Sequence, residues 1–341
     1  MRVSAFTTLF AYGWRLGLLA VLAACQPQPE AAGGADGPAH PPVGHFAGTL
    51  AAAGRPDLRA ALEVRHPRPG HYDAELVVAE APGLSFVADT LVFSNNTLRV
   101  VRPGRPGQAL TLQQQGDFWR GSLAVDSTAY TTLLVRRGPP EPAVYRVRRD
   151  EVPGSMGPAL LFSPADESLP GAALALFPTA ATAGTSPAWA DALARHGYTV
   201  LLLPAADTLT APALGAALSY LHRTPGVDTA RVGAWAAGPR AEQLATLLYS
   251  NKLSNPKPAF VVAQAAPMLS ANTRRAWHTL GQQGRVLGIY EAPDAATGRA
   301  AAGLRLALGS RQARVVRGQG PGLTTAVADW LREQPGALHQ Q

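Results

Sequence analysis

Two hydrophobic patterns divide the chain. Within residues 43–137, apolar and polar positions alternate in short runs at 58–64, 72–78, 91–93, 98–101, 109–112, 118–123 and 131–135. Turn residues separate them: Pro67-Arg68-Pro69-Gly70, Asn95-Asn96 and Pro103-Gly104. A period of two sends alternate side chains to opposite faces, so the pattern predicts an antiparallel sheet closed into a small all-β barrel or sandwich. After Gly138-Pro139-Pro140-Glu141-Pro142 the pattern changes. Apolar runs at 172–177, 198–203, 231–236, 259–263, 286–290 and 313–316 predict buried strands. Helix-period segments at 187–196, 211–222, 239–249, 271–280, 298–308 and 322–331 alternate with them. That alternation predicts a mostly parallel sheet with helices on both faces. Ligands of such sheets bind at the carboxyl ends of the strands.

The N-terminus follows neither pattern. Arg2 and Arg15 precede an apolar run over 16–24, too short to span a bilayer about 30 Å thick. The run ends in Leu22-Ala23-Ala24-Cys25, which resembles the bacterial lipobox. The resemblance implies cleavage before Cys25, acylation of its thiol and of the new N-terminus, and anchoring in a lipid bilayer. Residues 26–42 hold Pro, Gly, Ala and Glu without a period and read as a tether. The expected organisation is a lipoprotein signal peptide (1–24), lipidated Cys25 with its tether (25–42), a β domain (43–137), a linker (138–149), an α/β domain (150–335) and a tail (336–341). A cell-envelope location follows, on the outer membrane because Gln26 is not the aspartate that retains some lipoproteins at the inner one, with the membrane side left open between periplasm and surface.

Composition removes several functions. Cys25 is the sole cysteine of 341 residues, which excludes a disulfide scaffold and cysteine-based metal sites. The formal charge is +7, but only Lys252 and Lys257 are lysines and the arginines are scattered, so no nucleic-acid footprint forms. No His-x-x-x-His spacing, P-loop or strand-linked G-x-G-x-x-G occurs, and neither a metal nor a cofactor is expected. His66 and His71 flank a turn and read as solvated. His196, His222 and His278 fall within predicted helices, the first two near their C-terminal ends, where the dipole favours a charged ring.

Several segments of the C-terminal half, in order, resemble the α/β-hydrolase superfamily of serine aminopeptidase or dienelactone hydrolase type. They are Leu193-Ala194-Arg195-His196-Gly197-Tyr198-Thr199-Val200-Leu201, Val227-Asp228-Thr229-Ala230-Arg231-Val232-Gly233-Ala234-Trp235 and Tyr290-Glu291-Ala292-Pro293-Asp294. The resemblance covers residues 150–335 and implies a hydrolase-type fold, with the β domain fused ahead of it. It also assigns positions for a catalytic triad, and this chain departs from the pattern at two of three. The nucleophile of a G-x-S-x-G elbow falls on Gly238, or on Ala236 if the register slips by two. The residue after it, whose backbone N–H would face the oxyanion, is Pro239, which has none. The histidine falls on Pro321, and only Asp294 matches its position, that of the acid. Thr179, in the first oxyanion loop, retains a hydroxyl, although a small-residue turn is the plainer account, and Asp294 without a histidine reads as a turn or cap residue.

The leading expectation is therefore a catalytically inactive pseudo-hydrolase, a binding or scaffold module with a small acyl or peptide ligand in its crevice, or a protein partner. The alternative is an active esterase- or peptidase-like hydrolase with a non-standard nucleophile. A second alternative makes the β domain a partner- or glycan-binding module, if Tyr72, Phe86, Phe93, Phe118 and Trp119 form an exposed cluster.

Overall fold

The structure is a computed structural model that describes residues 40–154, 157–250, 256–267, 270–282, 285–291, 294–309, 314–318 and 321–334. The expected signal peptide, Cys25, most of the tether and the tail lie outside the described residues.

Nine antiparallel strands form the first sheet: β1 (Gly44–Ala51), β2 (Leu58–Arg68), β3 (His71–Val78), β4 (Phe86–Ala88), β5 (Leu91–Ser94), β6 (Thr97–Val101), β7 (Gln108–Gln115), β8 (Phe118–Val125) and β9 (Thr128–Gly138). Their order, β4-β3-β2-β1-β9-β8-β7-β6-β5, is a meander that returns β9 to β1 and leaves one seam, between β4 and β5. Inward residues of eight strands, among them Phe46, Leu62, Leu76, Phe86, Leu98, Leu110, Trp119 and Leu134, meet in one core, so the sheet is a nearly closed barrel filled by side chains. Asn95 and Asn96 both take positive φ between the paired Ser94 and Thr97, the two-residue hairpin their side chains favour.

The second sheet contains β10 (Tyr145–Asp150), β11 (Ala159–Pro164), β12 (Gly171–Phe177), β13 (Thr199–Leu202), β14 (Val227–Ala237), β15 (Val261–Gln264), β16 (Val286–Tyr290) and β17 (Arg314–Arg317). Its order is β10-β11-β13-β12-β14-β15-β16-β17. The sheet is mixed: β10 with β11 and β11 with β13 pair antiparallel, and the remaining neighbours pair parallel. The expected linker 138–149 needs correction, because Tyr145–Asp150 is a strand with Tyr145 and Val147 inward and arginines outward.

Among the described residues six helices cover this sheet: α1 (Ser186–Arg195), α2 (Ala211–His222), α3 (Pro239–Tyr249), α4 (Ala271–Gln282), α5 (Ala295–Leu308) and α6 (Pro321–Arg332). Leu214, Leu244, Trp277 and Leu304 of α2 to α5 pack with Ala175 and Val232 on one face. Leu193 of α1 and Val327 and Trp330 of α6 pack with Leu174, Trp235 and Leu287 on the other. Strand β12 connects through α1 to β13 on one side, whereas β13 crosses back through α2 to β14 on the other. Strand order reverses there, so the crevice between the carboxyl ends of β12 and β14 is the switch point at which such sheets bind ligands.

The described residues, from His40 to Gln334, belong to one compact unit. Val87 of β4 lies in the same core as Tyr145 and Leu193. Arg102, after β6, makes a buried ion pair with Asp191 of α1, whose second oxygen accepts a 2.7 Å hydrogen bond from Tyr145 Oη. Burial, with the Asp191 charge adding to it, holds the Tyr145 phenol protonated well above its ordinary range. Arg195 of α1 reaches Glu75 of β3 at 2.8 Å.

Candidate functional site

Strand β14 ends at Ala237 and α3 begins at Pro239, so Gly238 alone makes the turn, with φ 54° and ψ −133°. This is a sharp strand-to-helix elbow in a conformation that non-glycine residues rarely adopt. Ala236 is fully buried inside the strand, so of the two registers the structure places the elbow at Gly238. The Gly238 N–H donates to the Gln264 carbonyl at 2.7 Å. A Cβ on residue 238 would meet nothing closer than Thr179 Cγ2 at 3.5 Å, so the site has room for a side chain.

Of the two positions that the hydrolase resemblance assigns to an oxyanion, one lacks a donor and the other is engaged. Pro239 has no N–H. Thr179 donates its own N–H to Thr182 Oγ1 at 3.0 Å, inside a local turn. Arg240, only 4% exposed, donates from Nη1 to the Pro178 carbonyl at 2.7 Å and lies 5.3 Å over the Phe177 ring. Burial lowers its pKa, with the charge of Asp207 acting in the opposite direction. Arg240 thus ties α3 to the loop after β12.

The other triad positions point elsewhere. Asp294 is the N-cap of α5: Oδ1 accepts the Thr297 N–H at 2.8 Å and Oδ2 the Thr297 hydroxyl at 2.7 Å. Pro321 is the first residue of α6. Thr179 and Gly238 meet in the switch-point crevice, and among the described residues no histidine is hydrogen-bonded to either. His196 and His222 lie at the C-terminal ends of α1 and α2, which antiparallel helix packing puts at the opposite edge of the sheet. His278 binds the Ala307 carbonyl at 3.1 Å. Among the described residues no serine or threonine hydroxyl is hydrogen-bonded to a histidine. Burial pushes the Tyr290 phenol up, and it donates to the Ala266 carbonyl at 3.0 Å.

A separate space lies on the face of the sheet covered by α1 and α6, and no elbow residue lines it. A cleft of about 970 Å³ separates the segment after β3 from α1 and α6, lined mainly by apolar groups. It extends from Thr185, before α1, to His196 after it, and Pro82, Leu323 and Glu291 line its sides. A polar chain supports one end. Trp235 Nε1 donates to Gln264 Oε1 at 3.0 Å, and Gln264 Nε2 donates to Glu291 Oε1, which also accepts Trp189 Nε1 at 3.2 Å. The two indoles pack with centroids 5.1 Å apart. Sequence reasoning did not single out Trp189, Gln264 or Glu291. The available signal was a glutamine ending the apolar strand β15 and a glutamate directly following β16.

On the barrel, the aromatic residues considered as one exposed cluster do not form one, which is a correction. Phe86 and Trp119 are core residues, whereas Phe118 is 47% exposed. Tyr72 stacks on His66 at 4.3 Å. Among the described residues no group of three or more His, Cys, Asp or Glu side chains is placed to hold a metal ion.

No family model and no curated protein matches the chain. Among solved structures, an esterase from Pyrobaculum calidifontis is similar at 14% identity and TM-score 0.41, over 56% of this chain and 86% of that one. A dienelactone hydrolase from Anabaena variabilis is similar at 18% identity and TM-score 0.38, over 56% and 95%.

Proposed function

We propose that this chain is a lipid-anchored envelope protein on an α/β-hydrolase scaffold that has no serine-hydrolase chemistry and acts as a binding module. One observation carries the reading: the elbow at the switch point is built from Gly238 and Pro239, a residue without a nucleophile followed by one without an N–H. Removing one oxyanion donor costs about 10²–10³ in rate even where a triad is intact. Here the nucleophile is missing too, and the histidine position is Pro321. The elbow backbone supports descent from a catalytic scaffold, and the separate cleft along α1 supports a binding role.

The test is fluorophosphonate labelling of the chain beside a panel of short-chain esters, with Gly238→Ser/Pro239→Gly/Pro321→His as comparison. The native chain is expected to stay unlabelled and to turn nothing over. A covalent label on one of its serines or threonines would mean a working hydrolase and end the reading. Anchoring is tested separately: wild-type chain should partition into detergent and incorporate labelled palmitate in bacteria, and Cys25→Ser should do neither.

A further inference from the structure

We propose that the cleft between the barrel and α1 binds an elongated organic cation, an apolar chain ending in a protonated amine, with Glu291 as the counter-charge. The assignment rests on the binding-module reading and names its ligand class.

The charge pattern around the cleft selects a cation. Asp191 is matched by Arg102, Glu75 by Arg65 and Arg195, and Glu80 by Arg59. Glu291 is the lining carboxylate with no cationic partner among the described residues. Its two donors, the indole N–H of Trp189 and the side-chain amide of Gln264, are neutral. They converge on Oε1 and fix the carboxylate without cancelling its charge, and they leave Oε2 for a further donor. A partly buried carboxylate without a counter-charge is costly, so a ligand that brings one gains affinity there. Trp189, beside the carboxylate, adds an aromatic surface of the kind that attracts ammonium groups.

The remainder of the cleft selects an apolar, extended body. Ala188 and Ala192, four residues apart, both line it, so one turn of α1 stays low between Trp189 near Glu291 and Arg195 at the far end. Ten helical residues span about 15 Å. The lining is mostly apolar, and the volume lies in the range of small-molecule sites. Glu291 follows β16 at the carboxyl edge of the sheet, where Thr185 and Leu323 also lie, so the cationic end sits there and the chain runs towards His196.

Titration calorimetry and thermal shift on the whole chain, with octylamine, octanol and octanoate at pH 7, test this. Octylamine is expected to bind and raise the melting temperature, with octanol at least tenfold weaker and octanoate weaker again. Glu291→Gln preserves an oxygen for Trp189 and Gln264 and should weaken octylamine at least tenfold while leaving octanol unchanged. Ala192→Phe, which fills the cleft away from Glu291, should abolish binding of both. Octanoate binding as well as octylamine, or Glu291→Gln binding octylamine unchanged, overturns the cation assignment but leaves a binding module. Failure of all three probes overturns the ligand class altogether. Fluorophosphonate labelling of the native chain is a distinct result, since it removes the non-catalytic reading whatever the probes do.

Discussion

Backbone strain and packing can be separated at two glycines, Gly233 inside β14 and Gly238 just after it. Gly238 has φ 54°, and a Cβ there would make only ordinary contacts. Gly233 has no such φ, yet its Cβ would stand 2.1 Å from the Phe260 ring. Gly238→Ala is therefore expected to cost about 1–3 kcal/mol, from the positive-φ backbone alone. Gly233→Ala should cost about 3 kcal/mol or more, because the ring is wedged in a full core. Urea unfolding of the two variants reads the difference, and equal losses would mean that the elbow is crowded as well as strained. Asp294 gives the second residue-scale prediction. The Thr297 N–H, then the Thr297 hydroxyl, hold its carboxyl below the usual range. A depressed carboxylate contributes stability that is complete above its unfolded pKa of about 3.9 and is lost as pH falls through the lower folded value. Asp294→Ala should thus lower the melting temperature at pH 6 and narrow its gap from wild type below about pH 3.9. A gap that stayed constant through this range would show that the charge of the cap is irrelevant.

Among the elements, α1 carries polar connections to both sheets. Asp191 holds Arg102 of the barrel and Tyr145 of β10, and Arg195, one turn on, holds Glu75 of β3. Asp191→Ala leaves the Arg102 guanidinium buried and unpaired, a change that costs about 3–5 kcal/mol. Tyr145→Phe removes one hydrogen bond to the carboxylate and should cost about 1.5–3 kcal/mol, less than the loss of the ion pair. Urea denaturation ranks the two, and a reversed order would place the stabilisation in the phenol and not in the ion pair. Little of this was legible in the sequence, because partners 46 and 89 residues apart leave no periodic trace. The elements themselves were more legible. The helices 211–222 and 239–249 match α2 and α3 to the residue, since each opens with proline in its first turn after a Thr210 or Gly238 boundary. The strands β1, β4, β10 and β11 escaped: β1 carries Gly44, His45 and Gly48, β4 is three residues long, β10 alternates with arginines, and β11 is an unbroken apolar run beside prolines. The elbow position came from the hydrolase resemblance of residues 227–235, which left Gly238 and Ala236 both open, and not from any local pattern. The Trp189–Gln264–Glu291 chain was not legible, because topology alone brings α1, β15 and β16 to one edge.

The whole molecule poses the question whether a barrel and an α/β layer in one chain melt together. Interfaces between domains of one chain are usually modest and polar, and independent melting is then the default. Here two features oppose it. Val87 of the barrel is buried in the core that also holds Tyr145 and Leu193, so separation exposes apolar surface on both sides. Separation also strands Arg102, 2% exposed, and Asp191, 5% exposed, without each other. Both costs fall on any state in which one sheet is folded and the other is not, so such a state should not accumulate. Calorimetry of the native chain is expected to give one transition, with equal calorimetric and van't Hoff enthalpies. Adding 1 M NaCl should leave it single, because a buried pair is screened much less than a surface one. Asp191→Ala should split it in two, since the ion pair is gone and Arg102 no longer gains from docking. Two transitions in the wild-type chain would mean that the shared core is too small to couple the sheets. The cleft between barrel and α1 would then open and close with their relative motion, and octylamine should merge the two transitions by binding both walls at once.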